Sequence, residues 1–371
     1  MRILHIVGSL NRGGAETWLV QTLARIDREK YQMDFLVHSP EPGAYDTDVR
    51  ALGSRIIPCL KPSNPLQYAV NFRRILRQFG PYDCVHSHIH HYTGYVLMLA
   101  ASMRVPVRIA HSHIDTSLID KESSALRQAY LFGMEWLIRR FATREIAVSE
   151  SAAQSLFSES WRSDLRCSIL PLGIDLAPFR QSVDSQQVRS ELGIPEDAFV
   201  VGHVGRFAEQ KNHRFVVEIA ERFCKLEPNA IFLLIGDGPL KPEIEALARS
   251  RGLKERFVFT GVRPDVPRLM KGGMDCFLFP SSYEGLPLAL LEAQAAGLHC
   301  VVSDAVSNEG DANDSAMTRL PLTDPPGVWA NHLATSRSIG RDASISDNWL
   351  NARSIEDSVG RLKSLYNEAA I

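Results

Sequence analysis

The sequence lacks the features that mark membrane-spanning, secreted and disulfide-bonded proteins. Its 371 residues contain no apolar run of about 18 residues, the length that a transmembrane helix needs. None of the six cysteines forms a Cys-x-x-Cys pair, and most, such as Cys276, lie within apolar runs. This usage indicates buried free thiols in a reducing compartment. The N-terminal apolar run is too short for a signal peptide, so we expect a cytoplasmic protein.

An excess of charge of either sign is also missing. The chain has 41 Lys and Arg residues against 43 Asp and Glu residues, a formal net charge of −2. This balance excludes a generally basic surface, so we expect no nucleic-acid partner. Arginines do cluster locally within residues 73–77 and 139–144, and we expect both clusters on helices of the first domain. These clusters predict either peripheral contact with an anionic membrane, at the inner face of the plasma membrane, or solvated helix faces.

Short β-branched runs alternate with longer amphipathic stretches, and the alternation begins again after a turn-rich segment at residues 170–179. This order predicts α/β architecture with parallel sheets covered by helices on both faces. A chain of this length is typical of two domains. We predict two Rossmann-like, doubly wound domains, residues 1–178 and 179–352, followed by a helix within 353–371. Because ligands bind at the carboxyl ends of such strands, the default site is an inter-domain cleft.

The strand predictions follow the apolar runs. They are Arg2–Val7, Met33–Ser39, Ser54–Leu60, Cys84–His88, Val107–His113, Arg144–Ser149, Cys167–Leu170, Phe199–Val204, Ala230–Ile235, Phe257–Thr260, Cys276–Phe279 and Cys300–Ser303. No sequence repeat, low-complexity tract or coiled-coil heptad interrupts them.

The first candidate binding segment follows the first predicted strand and reads Gly8-Ser-Leu-Asn-Arg-Gly13-Gly14-Ala-Glu16. Gly13 and Gly14 let backbone N–H groups approach a ligand closely, and the N-terminus of the next helix favours an anion. The spacing is not Gly-x-Gly-x-x-Gly, which disfavours a nicotinamide dinucleotide. A tight turn without a ligand remains the alternative.

Histidines concentrate at the ends of predicted strands in the first half. His86 and His88 form one pair at strand spacing, and His111 and His113 form another. We expect the two members of each pair on opposite faces of the sheet, which disfavours a metal site, and we predict none. The rings are better interpreted as polar groups lining a cleft, one of them orienting a substrate hydroxyl. Hydrogen-bonded structural histidines remain the alternative.

Two segments of the second half carry charge on strand-to-helix loops. Arg206 and Lys211 follow the strand Phe199–Val204, where they could clamp a diphosphate or form a solvated loop pair. Glu284 and Glu292 are eight positions apart, around a predicted helix start at Pro287. Each carboxylate can hold a diol, and the apolar neighbours of Glu292 make an unpaired carboxylate there costly.

Taken in order, these segments resemble the family-4 glycosyltransferases of the GT-B fold, in the exopolysaccharide and capsular-polysaccharide branch. The matching elements are Gly13-Gly14-Ala-Glu, the connector at residues 170–179, Gly205-Arg206 with Lys211-Asn212, Ile235-Gly-Asp-Gly-Pro239, Phe259-Thr-Gly261, and Glu284 with Glu292. The resemblance covers about residues 1–305 and departs from the family pattern after Asp304. It implies that the final helix crosses back onto the first domain.

The resemblance also implies roles for individual residues. Arg206 and Lys211 would bind the diphosphate, and Gly13 and Gly14 would close the phosphate site. The base would be contacted by Gly261, Val262 and Arg263, and the ribose by Glu292. Glu284 would bind the donor sugar, assisted by the N–H groups of Gly285 and Leu286. The functional histidine of the family falls at His111 or His113, and the spacing favours His113.

The activity implied is transfer of a hexose from a nucleotide sugar, a UDP-sugar in the first instance, with retention of anomeric configuration. The acceptor would be a glycan or a lipid-linked saccharide of a bacterial surface polysaccharide. Two fixed cations can stabilise the departing diphosphate, so no cofactor or divalent metal is expected. A nucleotide-sugar 2-epimerase and a non-catalytic nucleotide-sugar sensor remain the alternative functions.

Overall fold

The structure is a computed structural model that describes residues 1–157, 159–312, 316–340 and 345–369. Residues 313–315 and 341–344 of the predicted second domain, and 370–371 of the predicted final segment, lie outside the described residues. The chain divides into two compact units. The first unit contains residues 1–173 and 355–371, and the second contains residues 174–354.

The first unit is built on a seven-stranded parallel sheet with the order β3-β2-β1-β4-β5-β6-β7. Its strands are β1 (Arg2–Val7), β2 (Gln32–Val37), β3 (Ile56–Pro58), β4 (Cys84–Ser87), β5 (Val107–Ser112), β6 (Arg144–Ala147) and β7 (Cys167–Ile169). The strand order reverses between β1 and β4, which is the position where doubly wound sheets bind ligands.

The helices of the first unit are α1 (Gly14–Arg25), α2 (Asp46–Ala51), α3 (Pro65–Phe79), α4 (Thr93–Ser102), α5 (Ser117–Lys121), α6 (Ala125–Phe141), α7 (Glu150–Phe157) and, from the end of the chain, α16 (Ile355–Ala369). Short 3₁₀ turns occupy His90–Tyr92 and Glu159–Ser163. In α3, the Asn64 side chain caps the N-terminus by accepting from the N–H of Gln67, and Pro65 occupies the first turn.

Helix α16 packs on α1 within the first unit, although it follows the second unit in the sequence. The indole Nε1 of Trp18 donates to Ser358 Oγ at 2.9 Å, and the hydroxyl of Tyr31 donates to Asn367 Oδ1 at 2.7 Å. Trp18, Leu362 and Tyr366 are fully buried. The apolar face of α16 is therefore part of the core of the first unit.

The second unit is built on a six-stranded parallel sheet with the order β10-β9-β8-β11-β12-β13. Its strands are β8 (Phe199–Val204), β9 (Ala230–Ile235), β10 (Phe257–Gly261), β11 (Cys276–Phe279), β12 (His299–Ser303) and β13 (Met317–Leu320). The prediction of two parallel, doubly wound α/β sheets is confirmed.

The helices of the second unit are α8 (Ala177–Arg180), α9 (Ser185–Glu191), α10 (His213–Leu226), α11 (Lys241–Ser250), α12 (Val266–Gly273), α13 (Leu288–Ala295), α14 (Pro326–Ile339) and α15 (Asp347–Ala352). Short 3₁₀ turns occupy Glu209–Lys211, Lys254–Arg256 and Asn308–Gly310. The core lies where α10 and α14 cover β8, β9 and β11, with Trp329, Phe223 and Phe232 fully buried. No helix among the described residues is both long and apolar enough to cross a bilayer.

Candidate functional site

The glycine loop of the first unit ends at Gly13, which is the N-cap residue of α1 and has extended backbone. Its N–H donates to the carbonyl oxygen of Asn11 at 3.0 Å. A Cβ atom at Gly13 would lie 2.4 Å from Glu16 Oε2, so a larger residue would displace that carboxylate. The Glu16 carboxylate lies in the first turn of α1, where a negative charge is stabilised by the helix dipole. The phosphate role of Gly13 and Gly14 remains a prediction.

Five histidines lie together on one face of the first sheet, and we call them the five-histidine cluster: His5, His86, His88, His111 and His113. His5 and His86 are register partners on β1 and β4. The ring centroids of His86 and His88 are 4.3 Å apart, and those of His111 and His113 are 4.1 Å apart. The expectation that the members of each pair point to opposite faces is wrong, because residues two apart on a strand share a face.

Hydrogen bonds connect the rings of the five-histidine cluster. His88 bonds to His5 through Nε2, at 3.0 Å from His5 Nδ1, and to His113 through Nδ1, at 2.8 Å from His113 Nε2. His86 Nε2 lies 3.1 Å from His111 Nδ1, and His86 Nδ1 lies 2.8 Å from the hydroxyl of Tyr366 on α16. Three buried ring nitrogens have no partner among the described residues: His5 Nε2, His111 Nε2 and His113 Nδ1.

Burial keeps these imidazoles neutral. Desolvation lowers the pKa of His5 and of His113 to about 3. It also lowers the pKa of His86, His88 and His111 well below the usual value, and the neighbouring rings lower it further. Near pH 7, each ring therefore carries one N–H and one lone pair, so it can donate one hydrogen bond and accept one.

The rings also converge in the way that a metal ion requires. One ring nitrogen each from His5, His86 and His88 lie within 4.8 Å of one another, and the same holds for His88, His111 and His113. The geometric reason for disfavouring a metal site therefore does not hold.

Two further histidines, His90 and His91, follow His88 closely in the sequence. His91 Nε2 lies 3.0 Å from Asp120 Oδ2, and the hydroxyl of Thr116 donates to the same oxygen at 2.5 Å. His90 has a left-handed backbone with a φ of 52°. The segment thus turns away from the strand direction directly after His88.

In the second unit, the ammonium of Lys211 donates to Glu284 Oε1 across 73 positions of sequence. Only 15% of the Lys211 side chain and 9% of the Glu284 side chain are exposed. The Lys211 ammonium also lies 4.7 Å from the ring centroid of Phe279. Lys211, predicted to bind the diphosphate, and Glu284, predicted to bind the donor sugar, therefore form one ion pair.

Hydrogen bonds bring the loops that carry these residues together. The N–H of Ser282 donates to the carbonyl oxygen of Gln210, and Gln210 Nε2 donates to the carbonyl oxygen of Tyr283, both at 2.8 Å. The N–H of Gly236 donates to the carbonyl oxygen of Gly261 at 2.9 Å. Gly236 has a φ of 142°, and a Cβ atom there would lie 2.0 Å from the carbonyl oxygen of Gly205. Only glycine permits this approach of the β9 loop to the β8 loop.

Arg206 and Arg263, both predicted to bind the donor, differ in whether their side chains already have protein partners. The side chain of Arg206 is exposed and has no ion pair or hydrogen bond among the described residues. The guanidinium of Arg263 is held by Asp265 through two hydrogen bonds of 2.8 Å. Val262 is exposed beside it. Arg206 is thus free to bind an anion, whereas Arg263 is occupied within its own loop.

Glu292 lies in the middle of α13 and is partly buried. Burial raises the pKa of its carboxyl group to about 7. Its carboxyl group has no hydrogen-bond or ionic partner in the part of the chain that the structure describes. A carboxyl group left without a partner in an apolar helix costs stability, which is typical of a group that binds a ligand.

The predicted residues fall into two sets. Those in the second unit lie at the carboxyl ends of parallel strands, in the segments that follow these strands, or on α13: Arg206, Lys211, Gly261, Val262, Arg263, Glu284, Gly285, Leu286 and Glu292. Those in the first unit are Gly13, Gly14, His111 and His113. Sequence reasoning missed Gln210, which ties two loops, and Tyr366, which bonds to His86. Gln210 lies inside the Arg206–Lys211 segment, but no sequence signal connects it with Tyr283, and none connects Tyr366 with His86.

Two family profiles match the chain. The family described as Glycosyltransferase Family 4 matches residues 12–178, and Glycosyl transferases group 1 matches residues 184–324.

The chain is similar to three bacterial relatives over most of their lengths. EpsF of Bacillus subtilis (strain 168), a glycosyltransferase by its name, is 38% identical over 92% of this chain and 88% of EpsF. CapH of Staphylococcus aureus, a capsular polysaccharide biosynthesis glycosyltransferase, is 27% identical over 99% of this chain and 98% of CapH. The Escherichia coli UDP-Gal:alpha-D-GlcNAc-diphosphoundecaprenol alpha-1,3-galactosyltransferase is 29% identical over 83% of this chain and 80% of that enzyme.

The fold is also that of a known structure. HepE of Anabaena, solved in complex with UDP and glucose, superposes with a TM-score of 0.81 at 20% identity and covers 99% of both chains. The two parallel sheets therefore define the GT-B glycosyltransferase fold. The chain belongs to glycosyltransferase family 4.

Proposed function

We propose that this protein is a retaining hexosyltransferase that uses a UDP-sugar and acts on a lipid-linked saccharide or glycan of a bacterial surface polysaccharide. The observation that carries the proposal is the Lys211–Glu284 ion pair, whose lysine shares its loop with the unpaired Arg206. This arrangement offers a cation for a diphosphate and a carboxylate for a sugar at the same strand ends.

The ion pair leaves both partners able to bind substrate. The Lys211 ammonium has three N–H donors, and Glu284 takes one of them through Oε1. The remaining donors would bind the diphosphate, and Glu284 Oε2 would accept from hydroxyl groups of the donor sugar. The free guanidinium of Arg206 would bind the diphosphate in two-point fashion.

Charge development favours the same assignment. In glycosyl transfer, the sugar gains positive character while negative charge grows on the departing diphosphate. Arg206, Lys211 and the N–H groups of Gly285 and Leu286, directly before α13, would stabilise that charge. These groups supply the charge that a metal ion supplies in other enzymes, so we propose that transfer needs no divalent ion at the donor.

The nucleoside would lie along β10 and α13. Because Asp265 holds the Arg263 side chain, we assign the contact with the base to the backbone of residues 261–263. Glu292, whose carboxyl group has no partner among the described residues, would accept from the ribose hydroxyls. In the first unit, His113 would contact the donor sugar, with His111 behind it, and Gly13 and Gly14 would approach the phosphates.

The names of the similar proteins support the substrate class. HepE was solved with UDP and glucose, the E. coli relative uses UDP-Gal and a diphosphoundecaprenol-linked acceptor, and CapH serves capsular polysaccharide synthesis. The family resemblance supports retention of anomeric configuration.

A membrane-bound acceptor fits two exposed helix faces of the first unit. On α3, Leu66 is 81% exposed, and Val70, Arg74 and Arg77 continue the same face by helical spacing. On α6, Leu126 is 84% exposed, and the exposed Phe132 and Trp136 precede Arg139 and Arg140. Apolar side chains beside arginines are typical of helices that bind anionic bilayer surfaces.

The expectation that both arginine clusters lie on helices is wrong for one residue of the second cluster. Arg144 begins β6, and its guanidinium donates to the carbonyl oxygen of Glu368 at 3.3 Å. We propose peripheral contact with the inner face of the plasma membrane through α3 and α6. Sedimentation should be stronger with vesicles that contain anionic lipid than with neutral vesicles, and equal binding to both would exclude electrostatic docking.

Turnover of UDP-hexoses with a lipid-linked saccharide acceptor tests the function. We expect Lys211→Ala to abolish turnover while the exposed Lys254→Ala control retains it, with the product anomer assigned by NMR. Epimer formation without acceptor would instead identify a 2-epimerase. Binding of UDP-sugars without turnover of any donor would identify a sensor.

A further inference from the structure

Three members of the five-histidine cluster have no part in the transferase reaction proposed above. His5, His86 and His88 lie on β1 and at the end of β4, and none of them belongs to the residues assigned to the donor. His5 and His86 are fully buried, and His88 is partly buried. Neutral imidazoles crowded on one face of a sheet are also the set of ligands that divalent transition metals prefer.

The hydrogen bonds within the cluster leave some of its ring nitrogens without a partner. The outer nitrogens of His5, His111 and His113 are buried without a partner among the described residues. Buried polar atoms are nearly always paired, so three orphaned nitrogens in one cluster need an explanation. The orphaned nitrogens show that hydrogen bonds alone do not account for the cluster.

The outer contacts leave one ring nitrogen of each residue for a metal ion. Tyr366 engages His86 Nδ1, which leaves His86 Nε2 as the ligand atom, and that nitrogen lies 3.1 Å from His111 Nδ1. His113 engages His88 Nδ1, which leaves His88 Nε2 facing His5 Nδ1 at 3.0 Å. Nitrogen ligands at about 2.0–2.1 Å from a tetrahedral ion lie about 3.4 Å apart. One ring nitrogen each of His5, His86 and His88 lie within 4.8 Å of one another, so binding requires His86 to release His111 and the rings to close on the ion. Metal-ligating histidines typically donate their second N–H to such an outer partner.

We propose that His5, His86 and His88 bind one divalent transition-metal ion, of the class that includes Zn²⁺. Three neutral ligands leave the fourth position of a tetrahedral site to a water molecule or hydroxide, which also offsets the charge of the ion. Neither group of converging residues contains a carboxylate, so the site disfavours Mg²⁺ and Ca²⁺, which require oxygen ligands.

Metal binding would also fix the protonation of His113. When His88 binds the ion through Nε2, its proton lies on Nδ1 and is donated to His113 Nε2. His113 then carries its own proton on Nδ1. The ion would thus select one tautomer of the ring that we assign to the donor sugar, without contacting the sugar itself.

The test uses the full chain without a polyhistidine tag, stripped with a chelator and titrated with Zn²⁺ against a chromophoric competitor. We expect about one equivalent of Zn²⁺ per chain, undisturbed by excess Mg²⁺ or Ca²⁺. His5→Gln and His88→Gln should each weaken binding by about 100-fold or more, and Tyr366→Phe by about 10- to 100-fold. His299→Gln is the matched control, because His299 is a buried histidine of the second unit that bonds to Ser336 and Thr318.

Binding of less than about 0.1 equivalent by the folded wild type, or unchanged affinity in both ligand variants, would overturn the proposal. If a ligand variant does not fold by circular dichroism, the visible spectrum of the wild type loaded with Co²⁺ decides. An intense spectrum of four-coordinate Co²⁺ supports the site, and a weak six-coordinate spectrum refutes it. The proposal does not rest on the glycosyltransferase activity, so either can fail without the other.

Discussion

If Glu292 binds the ribose, as proposed, its carboxyl group should make nucleotide binding sensitive to pH in a range where most carboxylates do not titrate. Burial raises its pKa to about 7, from about 4.3 in a solvated chain. Without ligand, about one tenth of the groups are ionised at pH 6 and about nine tenths at pH 8. If the ionised form accepts from both ribose hydroxyls, the affinity for UDP should increase about tenfold between these pH values.

Calorimetric titration of UDP at several pH values measures this increase. Glu292→Gln is the matched variant, because the amide keeps the shape of the side chain but does not titrate. It should bind UDP about 10- to 150-fold more weakly at pH 8, the value of charged hydrogen bonds worth about 1.5–3 kcal/mol. Its pH profile should report only the titration of the UDP phosphates.

The role of Glu292 is tested by comparing the pH dependence of UDP binding in the wild type and in Glu292→Gln. If wild type and Glu292→Gln change in parallel from pH 6 to pH 8, Glu292 does not titrate in this range or does not contact the nucleotide. If Glu292→Gln binds UDP as tightly as the wild type at pH 8, the assignment to the ribose is wrong.

Two further predictions concern stability. Lys211→Met should lower the free energy of unfolding of the second unit by about 3 kcal/mol, because it leaves the buried Glu284 carboxylate without its partner. Adding Glu284→Gln should restore most of the loss in thermal melts, while Lys254→Met at an exposed pair should change little; an unrestored double variant would contradict the coupling. The five-histidine cluster should make the first unit sensitive to acid. Below about pH 6.5 the rings of the unfolded chain bind protons, whereas the folded rings, whose pKa is lowered by burial, stay neutral. Stability should therefore be complete above pH 6.5 and fall as the pH drops toward about 3, by about 1–2 kcal/mol per ring between pH 7 and pH 5. Melts with chelator present should show a smaller pH dependence for His5→Gln than for the wild type, and an equal dependence would refute this account.

The central strands could be predicted from the sequence because they are continuous apolar runs. β1, β8, β9 and β11 have the predicted bounds, and each lies inside its sheet, where both faces are buried. The edge strands were less predictable. β3 shrinks from Ser54–Leu60 to Ile56–Pro58, and β13, with Thr318 and Arg319 in its interior, was not predicted. A half-exposed edge strand carries too few apolar side chains to give a pattern.

The site was predictable as a set of residue types on strand-end loops, but not as a set of contacts. The pairing of Lys211 with Glu284 and the bond between His86 and Tyr366 join residues 73 and 280 positions apart. Local periodicity contains no information about such distances. The error about the histidine pairs had another origin, because their spacing alone requires a shared face.

The position of α16 has a consequence for the order in which the protein folds. The ribosome completes every strand of the first sheet before it begins the second unit, yet Trp18 and His86 receive their partners from Ser358 and Tyr366. Part of the core of the N-terminal unit therefore stays exposed while about 180 further residues are synthesised. It is covered only when α16 emerges from the ribosome. During that interval, the part of the chain made first is the part most in need of protection from aggregation.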